Sequence, residues 1–456
     1  FREKNMDQRP FGEAIAGKYV HVRHPETLAE DIQLAFRFAR SGQGPVIFAV
    51  PLDMMIGKHD LEWEYSPGPV GNPERQRIRP DSEAIARAAA ILGEAERTAI
   101  VVGRGALESQ ADEEICVLAE RTGALLLTTL LARGYLSHHP QNAGLAGLLG
   151  TDATHSLLSE CDCVVAVGCS LNPDTTEHGL LFPEARIIHI DRNPGQIGNY
   201  LPASAGILGD ARVSLGALNS ELTRQGFQKK RGFWNKEASS LIADSKLVRK
   251  TTYAESPDTI DPRQLVAEMD RMLPKERIVS VDGGHCMLFV APDISLPSPK
   301  HFLWTQGFGS IGLGLYQGIG AAVGRPDQHV AVFAGDGGFM MSVEELDTAV
   351  RHRIPMTVIV MNDNGFGAEV HQLEARGRPV NIALYNNPDF AQVGKAFGAV
   401  GFTVRKLEDL RHVAAQIGKG DLPVLIDAKT NPTVVHELFM DMVKRPHTPH
   451  LTEDLS

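Results

Sequence analysis

The 456-residue chain is too long for one ordinary domain and predicts two or three, and its 43% hydrophobic content with 44 glycines fits a soluble α/β protein with ample core. A net charge of −11 without a long basic run excludes nucleic acid and anionic membranes as partners, so any anionic ligand must be held locally, by a metal ion or by helix N-termini. No apolar stretch approaches the ~20 residues that span a bilayer. The five cysteines read as buried reduced thiols of a cytoplasmic protein, because Cys161-Asp162-Cys163 has no second pair or nearby histidine to complete a zinc set. Phe1-Arg2-Glu3-Lys4 does not resemble a signal peptide, and the N-terminus reads as a cut or processed end.

Along the chain, Glu26 to Ala39 is amphipathic and predicts a helix, and Pro45 to Pro51 a buried strand. One helix and one strand cannot make a domain, so residues 1–56 read as the tail of one whose beginning is missing. Residues 57–80, with Pro67, Pro69, Pro73 and Pro80, read as a linker. From Asp81 helices and strands alternate. Helices are expected over Ser82–Leu92 and Ala111–Arg121, and strands over Thr98–Val102, Ala124–Thr129, Val164–Val167 and Arg186–Asp191. Such alternation predicts a doubly wound parallel sheet over residues 81–225. Gly103-Arg104-Gly105 lacks the third glycine of a dinucleotide site and reads as a tight turn, leaving a nucleotide-binding oxidoreductase as the weakest of three functional readings. Residues 226–258 are charged and read as an exposed connecting segment. A third region, 259–456, alternates again, with strands at Ile278–Val281, Val330–Ala334, Met356–Val360 and Val424–Asp427.

The informative stretch lies in that third region. Two apolar strands each run straight into an acidic residue and glycines, as Gly335-Asp336-Gly337-Gly338 and as Asn362-Asp363-Asn364-Gly365. Between them a helix is expected to start at a capping box, Ser342-x-x-Glu345, and to bury Leu346, Ala349 and Val350. This is a βαβ unit, so its strands should be parallel neighbours. Asp336 and Asp363 then fall at strand carboxyl ends, where open α/β sheets bind ligands. Two carboxylates there suit a hard divalent cation that completes its shell with phosphate oxygens, and the Gly337 and Gly338 amides could add donors to the anion. The bland alternative is that each acid merely ends its strand.

This pair of strand ends resembles the thiamine-diphosphate motif, which begins Gly-Asp-Gly and ends about thirty residues later in Asn-Asn. The resemblance is to the acetolactate synthase, pyruvate decarboxylase and benzoylformate decarboxylase superfamily. It implies a thiamine-diphosphate-binding fold over 259–456 and a Rossmann-like central domain. It also implies Mg2+ bound by the side chains of Asp336 and Asp363 and by the Gly365 carbonyl. Asp363 departs from the family's asparagine and adds a negative charge beside a diphosphate. Gly309-Ser310-Ile311-Gly312 matches the segment beneath the bent cofactor, making Ile311 the wedge between its rings, or else a core isoleucine. Gly335, Gly337, Gly338, Phe366 and Gly367 are further cofactor contacts by resemblance. His285, in Asp282-Gly283-Gly284-His285, donates to the diphosphate or makes a structural hydrogen bond.

Residues 81–225 resemble the central domain of acetolactate synthase-like enzymes, including Ile188 to Asp191 and Gly209-Asp210-Ala211, and residues 19–55 the end of the pyrimidine-binding domain. In that family a glutamate of the earlier part protonates the aminopyrimidine, and no residue of this chain is assigned that role. The active site there lies between subunits. The resemblance therefore implies a homodimer or homotetramer, or a hetero-oligomer with a chain supplying the pyrimidine-binding domain. Cys169-Ser170-Leu171-Asn172-Pro173 stands where acetolactate synthases carry an Arg-Phe-Asp-Asp-Arg element for FAD, which leaves FAD doubtful. His371-Gln372 stand near their Gln-Trp. Glu369 and His371 either line the pocket and move protons or form a helix-surface pair. His436 to Met440 forms a short helix over the site by the same resemblance. The expected activity is decarboxylation or carboligation of a 2-oxo acid, the alternative a non-catalytic binding or assembly subunit.

Overall fold

A computed structural model describes residues 6–40, 44–62, 77–228, 232–248, 253–254, 256–305, 308–437 and 439. Residues 63–76 of the expected linker, and Leu438 and Met440 of the expected C-terminal helix, lie outside them. The chain divides into two units, Phe1–Ile78 and Arg79–Ser456.

In the first unit β1 (Lys18–His21) and β2 (Val46–Ala49) pair in parallel around the helix Leu28–Arg40. The expected buried strand is half-buried along its whole length. Among the described residues it pairs only with β1, and the helix Leu28–Arg40 packs on both strands.

In the second unit the central sheet contains β3 (Thr98–Val102), β4 (Leu125–Thr128), β5 (Asn142–Leu145), β6 (Cys163–Val167), β7 (Arg186–Asp191) and β8 (Ala205–Leu208). Its order is β5-β4-β3-β6-β7-β8, every neighbour parallel. Alternate residues of β3 point to opposite faces. Ile100 and Val102 join a core with the helices Ser82–Glu94, Asp112–Thr122 and Ala211–Arg224, while Ala99 and Val101 join one with Asp152–Leu158. The sheet is doubly wound, as the alternation implies.

The segment after it is not merely a connector. Lys236–Val248 is a helix whose Ala238 and Ile242, together with Phe233, are buried in the second of those cores. The i, i+4 pair is a narrow apolar stripe that the surrounding lysines and glutamate obscure. The five cysteines are free; Cys116 is half-buried and the other four are buried.

The third region holds β9 (Arg277–Val281), β10 (Phe302–Trp304), β11 (His329–Gly335), β12 (Met356–Asn362), β13 (Val400–Val404) and β14 (Val424–Lys429). Their order is β10-β9-β11-β12-β14-β13, again all parallel. The chain leaves β9 toward one edge and β11 toward the other, so the order reverses between them, which opens a crevice at their carboxyl ends. The faces of β11 divide as those of β3 do. Ala331 and Phe333 enter one core; Val330, Val332 and Ala334 enter the other with Leu346 and Ala349. The expected capping box does not form. Asp336–Met340 is already helical, and the Ser342 hydroxyl bonds back to the carbonyls of Gly338 and Phe339 (both 3.4 Å) instead of capping the next helix, Glu345–Arg351. Among the described residues no helix is long and apolar enough to cross a membrane.

Ile242→Ala tests the packing of the helix after the central sheet. A buried isoleucine truncated to alanine should destabilise the protein by about 2–4 kcal/mol in urea denaturation, whereas an exposed connector would show almost no change.

Candidate cofactor site

The β11–β12 ladder ends with Gly335 opposite Met361, so Asp336 and Asn362 are the next residues on the two strands and Asp363 follows. Asp336 is 1% exposed. Its Oδ1 accepts from the Gly337 N–H (2.7 Å) and the Tyr385 hydroxyl (3.3 Å), and its Oδ2 from the Gly365 N–H (3.2 Å) and Asn387 Nδ2 (2.6 Å). Asn387 also donates to Asn362 Oδ1 (3.0 Å), whose Nδ2 donates to the buried Asp427 (2.9 Å). Asn364 holds the turn between Asp363 and Gly365 at φ +62°, with its N–H on Asn362 Oδ1 (3.2 Å).

Burial pushes the pKa of both carboxyls up, and the charge of Asp336 pushes Asp363 further, well above the usual carboxylate range. The two acids are thus brought together, with the Gly365 amide on the same carboxylate. Among the described residues no group of three or more His, Cys, Asp or Glu side chains is placed to hold a metal, so a cation here would take oxygens from elsewhere.

A third carboxylate organises the neighbouring wall. Asp282, buried at the end of β9, accepts from the amides of Gly312 (2.8 Å), Leu313 (3.1 Å) and Gly314 (3.1 Å). This pins the segment that carries Ile311. That residue is half-buried, belongs to no core cluster, and lies against the glycines at 283 and 284: a Cβ on Gly283 would meet its Cγ2 at 3.3 Å. Ser310 is half-buried and Gly309 exposed, at φ +70°. Gly338 is required here, because a Cβ would sit 2.0 Å from Asp282 Oδ2. The Gly337 amide is taken up by Asp336, and a Cβ on that glycine would strike the Phe366 ring at 2.5 Å.

His285 is buried, and its Nε2 accepts from the backbone N–H of His436 (3.1 Å). Burial, with His371 and His436 nearby, lowers its pKa to about 3. Its ring meets Phe289 and His371 edge to face, at 4.8 Å each, and Phe439 at 5.2 Å.

Glu369 and His371 do not converge. Two residues apart on the helix Gly367–Ala375, they lie about 200° around its axis. His371 is 3% exposed and packs on His285, so it is no surface residue. Glu369 is exposed and lines an open groove with Phe366, Leu373, Arg376 and Ile382.

Tyr385, Asn387, Asp282 and Asp427 were not among the expected site residues. Asp282 carries the same signature as Asp336, a strand running into an acid and glycines, and was legible on that ground. Tyr385 and Asn387 lie in a loop with no periodic signal.

An acid whose folded pKa is raised makes the folded state bind more protons than the unfolded one, so it lowers stability as pH rises from the ordinary carboxylate range toward neutrality. Asp363→Asn should therefore stabilise the cofactor-free protein at pH 8 by on the order of 1 kcal/mol or more, with the gain shrinking toward pH 5. Thermal melts of both proteins at the two pH values check this; a pH-independent difference would contradict it.

Residues 85–218 match the central domain of thiamine pyrophosphate enzymes, and residues 282–428 match their C-terminal TPP-binding domain. The chain is 29% identical over 433 residues to a probable acetolactate synthase large subunit of Methanocaldococcus jannaschii, covering 90% of this chain and 71% of that one. It is 29% identical over 413 residues to a sulfoacetaldehyde acetyltransferase of Castellaniella defragrans (86% and 68%), and 28% identical over 410 residues to acetolactate synthase isozyme 2 large subunit of Escherichia coli (89% and 72%). The site at the β9–β11–β12 strand ends lies within the second matched domain. The chain belongs to the thiamine pyrophosphate enzymes of acetolactate synthase-like type, with their central and C-terminal cofactor-binding domains.

Proposed function

We propose that the chain is a thiamine-diphosphate-dependent decarboxylase or carboligase acting on a small 2-oxo acid. The observation that carries this is the pairing of buried Asp336 with half-buried Asp363 at the ends of adjacent parallel strands. Its repulsion is what a divalent cation would relieve, and its oxygens are the hard donors Mg2+ takes. In this reading Asp336, Asp363 and the Gly365 carbonyl hold Mg2+, which in turn holds the diphosphate. Two protein carboxylates with one carbonyl leave room for phosphate oxygens and water, the usual division for this ion.

The remaining roles follow from position. Asp282 fixes the segment bearing Ile311, and that side chain, outside any core cluster, supports the thiazolium and aminopyrimidine rings. Glycines at 309, 335, 337, 338 and 367, with Ser310 and Phe366, form the cradle. When bound, thiamine diphosphate supplies an electron sink for making or breaking a bond beside a carbonyl carbon. The protein's contribution is to orient that group, to keep a donor at His285, and to offer a proton-exchanging carboxyl at Glu369 in the adjoining groove. His371, buried against His285, supports that ring instead of meeting substrate.

Acetolactate synthase large subunits among the relatives support carbon–carbon bond chemistry, and the sulfoacetaldehyde acetyltransferase supports transfer of a small acyl group. We further infer a cytoplasmic location and a homodimer, a homotetramer or a hetero-oligomer with a chain that supplies the pyrimidine-binding domain.

Asp336→Ala should weaken Mg2+-dependent thiamine diphosphate binding at least tenfold in titration calorimetry, because one of two charged ligands is lost. Unchanged affinity would remove the metal assignment. With cofactor and Mg2+ supplied, a panel of short 2-oxo acids should be consumed; binding without turnover of any panel member would favour a non-catalytic subunit.

A further inference from the structure

The environment of His285 fixes which of its nitrogens carries the proton. Its Nε2 faces the His436 N–H at 3.1 Å, and a second hydrogen on that nitrogen would point at the first. Nε2 must therefore present a lone pair, and the single proton of the neutral ring belongs on Nδ1. Phe289, His371 and Phe439 pack around the ring, so a flip that exchanges the nitrogens would have to displace buried side chains. Nδ1 faces the metal-site end of the helix that follows Asp363. A Cβ built on Gly367 would lie 3.6 Å from Nδ1 and 2.6 Å from Asp363 Oδ2.

The N–H that imposes this comes from the chain after β14. That segment is anchored by the Asn431 N–H on the Ile260 carbonyl (2.9 Å) and by the Ile260 N–H on the Lys429 carbonyl (2.8 Å). Phe439 closes it, 6% exposed, with its N–H on the His436 carbonyl (2.9 Å).

We propose that the backbone N–H of His436 is a positioning group that sets the tautomer of His285, making its Nδ1–H a fixed donor toward the side of the site where Asp363 and the diphosphate meet. The direction toward diphosphate rests on the proposed function; the tautomer does not. The seating of residues 431–437 with Phe439 and the binding of the anion are then coupled, and by reciprocity each favours the other.

Long-range proton–nitrogen correlation spectra of histidine-labelled, cofactor-free protein read the tautomer directly. Wild type and His436→Ala, which keeps the N–H, should both show His285 protonated at Nδ1 and bare at Nε2. His436→Pro, which has no N–H, should show mixed tautomers and weaker binding of thiamine diphosphate with Mg2+, by about threefold to tenfold. His285→Asn places an amide N–H near the Nδ1 position. It should bind the cofactor better than His285→Gln and be indifferent to proline at 436. A wild-type spectrum with Nε2 protonated overturns the proposal, and so do matching spectra and affinities for the alanine and proline variants at 436. The expected tautomer, with no loss of affinity in His285→Gln, overturns the diphosphate contact while leaving the tautomer assignment standing.

Discussion

A buried carboxylate, Asp336, and a half-buried one, Asp363, repel each other on adjacent strand ends, and the strand pairing and hydrogen bonds around Asp336 hold that repulsion in place. Parallel pairing sets the positions: with Gly335 locked opposite Met361, Asp336 and Asn362 are held side by side, and Asp363 follows directly after. Four donors then hold Asp336 in one orientation. An ionised carboxylate accepts about that many hydrogen bonds, so its remaining instability comes from burial, while the charge of Asp336 destabilises an ionised Asp363. Isolated from a cation, such a pair is a liability. Beside one, the same charge would become binding energy.

Asp282 plays a different part. It too is buried at a strand end with a raised pKa from desolvation, yet three consecutive amides, from Gly312 to Gly314, satisfy it. One carboxylate is thus neutralised by backbone dipoles and becomes a fastener. The other two oppose each other without such an offset. The difference lies in what faces them: a turn at Gly312, with φ +88°, brings the amides to Asp282, whereas Asp363 meets Asp336.

The strands of both six-stranded sheets were legible where several β-branched or aliphatic residues ran together, as in Thr98–Val102 and Met356–Asn362. Four strands were not. Asn142-Ala-Gly-Leu, Ala205-Gly-Ile-Leu and Val400-Gly-Phe-Thr-Val each contain a glycine, and Phe302–Trp304 has three residues, so none carries enough local preference. All four sit at sheet edges, where one neighbour is enough to define a strand. The Asp336–Asp363 convergence followed from the βαβ rule alone. The environment of His285 did not, because its partners arrive from residues 371, 436 and 439, and periodicity cannot report contacts between segments so distant in sequence. The same limit explains Glu369 and His371: proximity along the chain suggested a pair, while helical geometry separated them.

Glycine use distinguishes the two sheets more sharply than strand order does. In the central sheet the glycines let backbone approach backbone. A Cβ on Gly103 would meet the Gly168 carbonyl oxygen at 2.3 Å, one on Gly168 the Ala106 nitrogen at 2.5 Å, and one on Gly147 the Asp174 carbonyl oxygen at 2.1 Å. The β3 and β6 ends therefore close on themselves, which supports reading Gly103-Arg104-Gly105 as a tight turn. In the third region three glycines near the strand ends make room for side chains: Gly338 for the Asp282 carboxylate, Gly367 for that of Asp363, and Gly337 for Phe366 and the Tyr385 hydroxyl. A parallel sheet always offers a crevice where its order reverses. Whether that crevice is closed by the chain depends on what the glycines at the strand ends admit: Gly103 and Gly168 at the β3 and β6 ends admit backbone, whereas Gly338 and Gly367 beside the β9, β11 and β12 ends admit carboxylates.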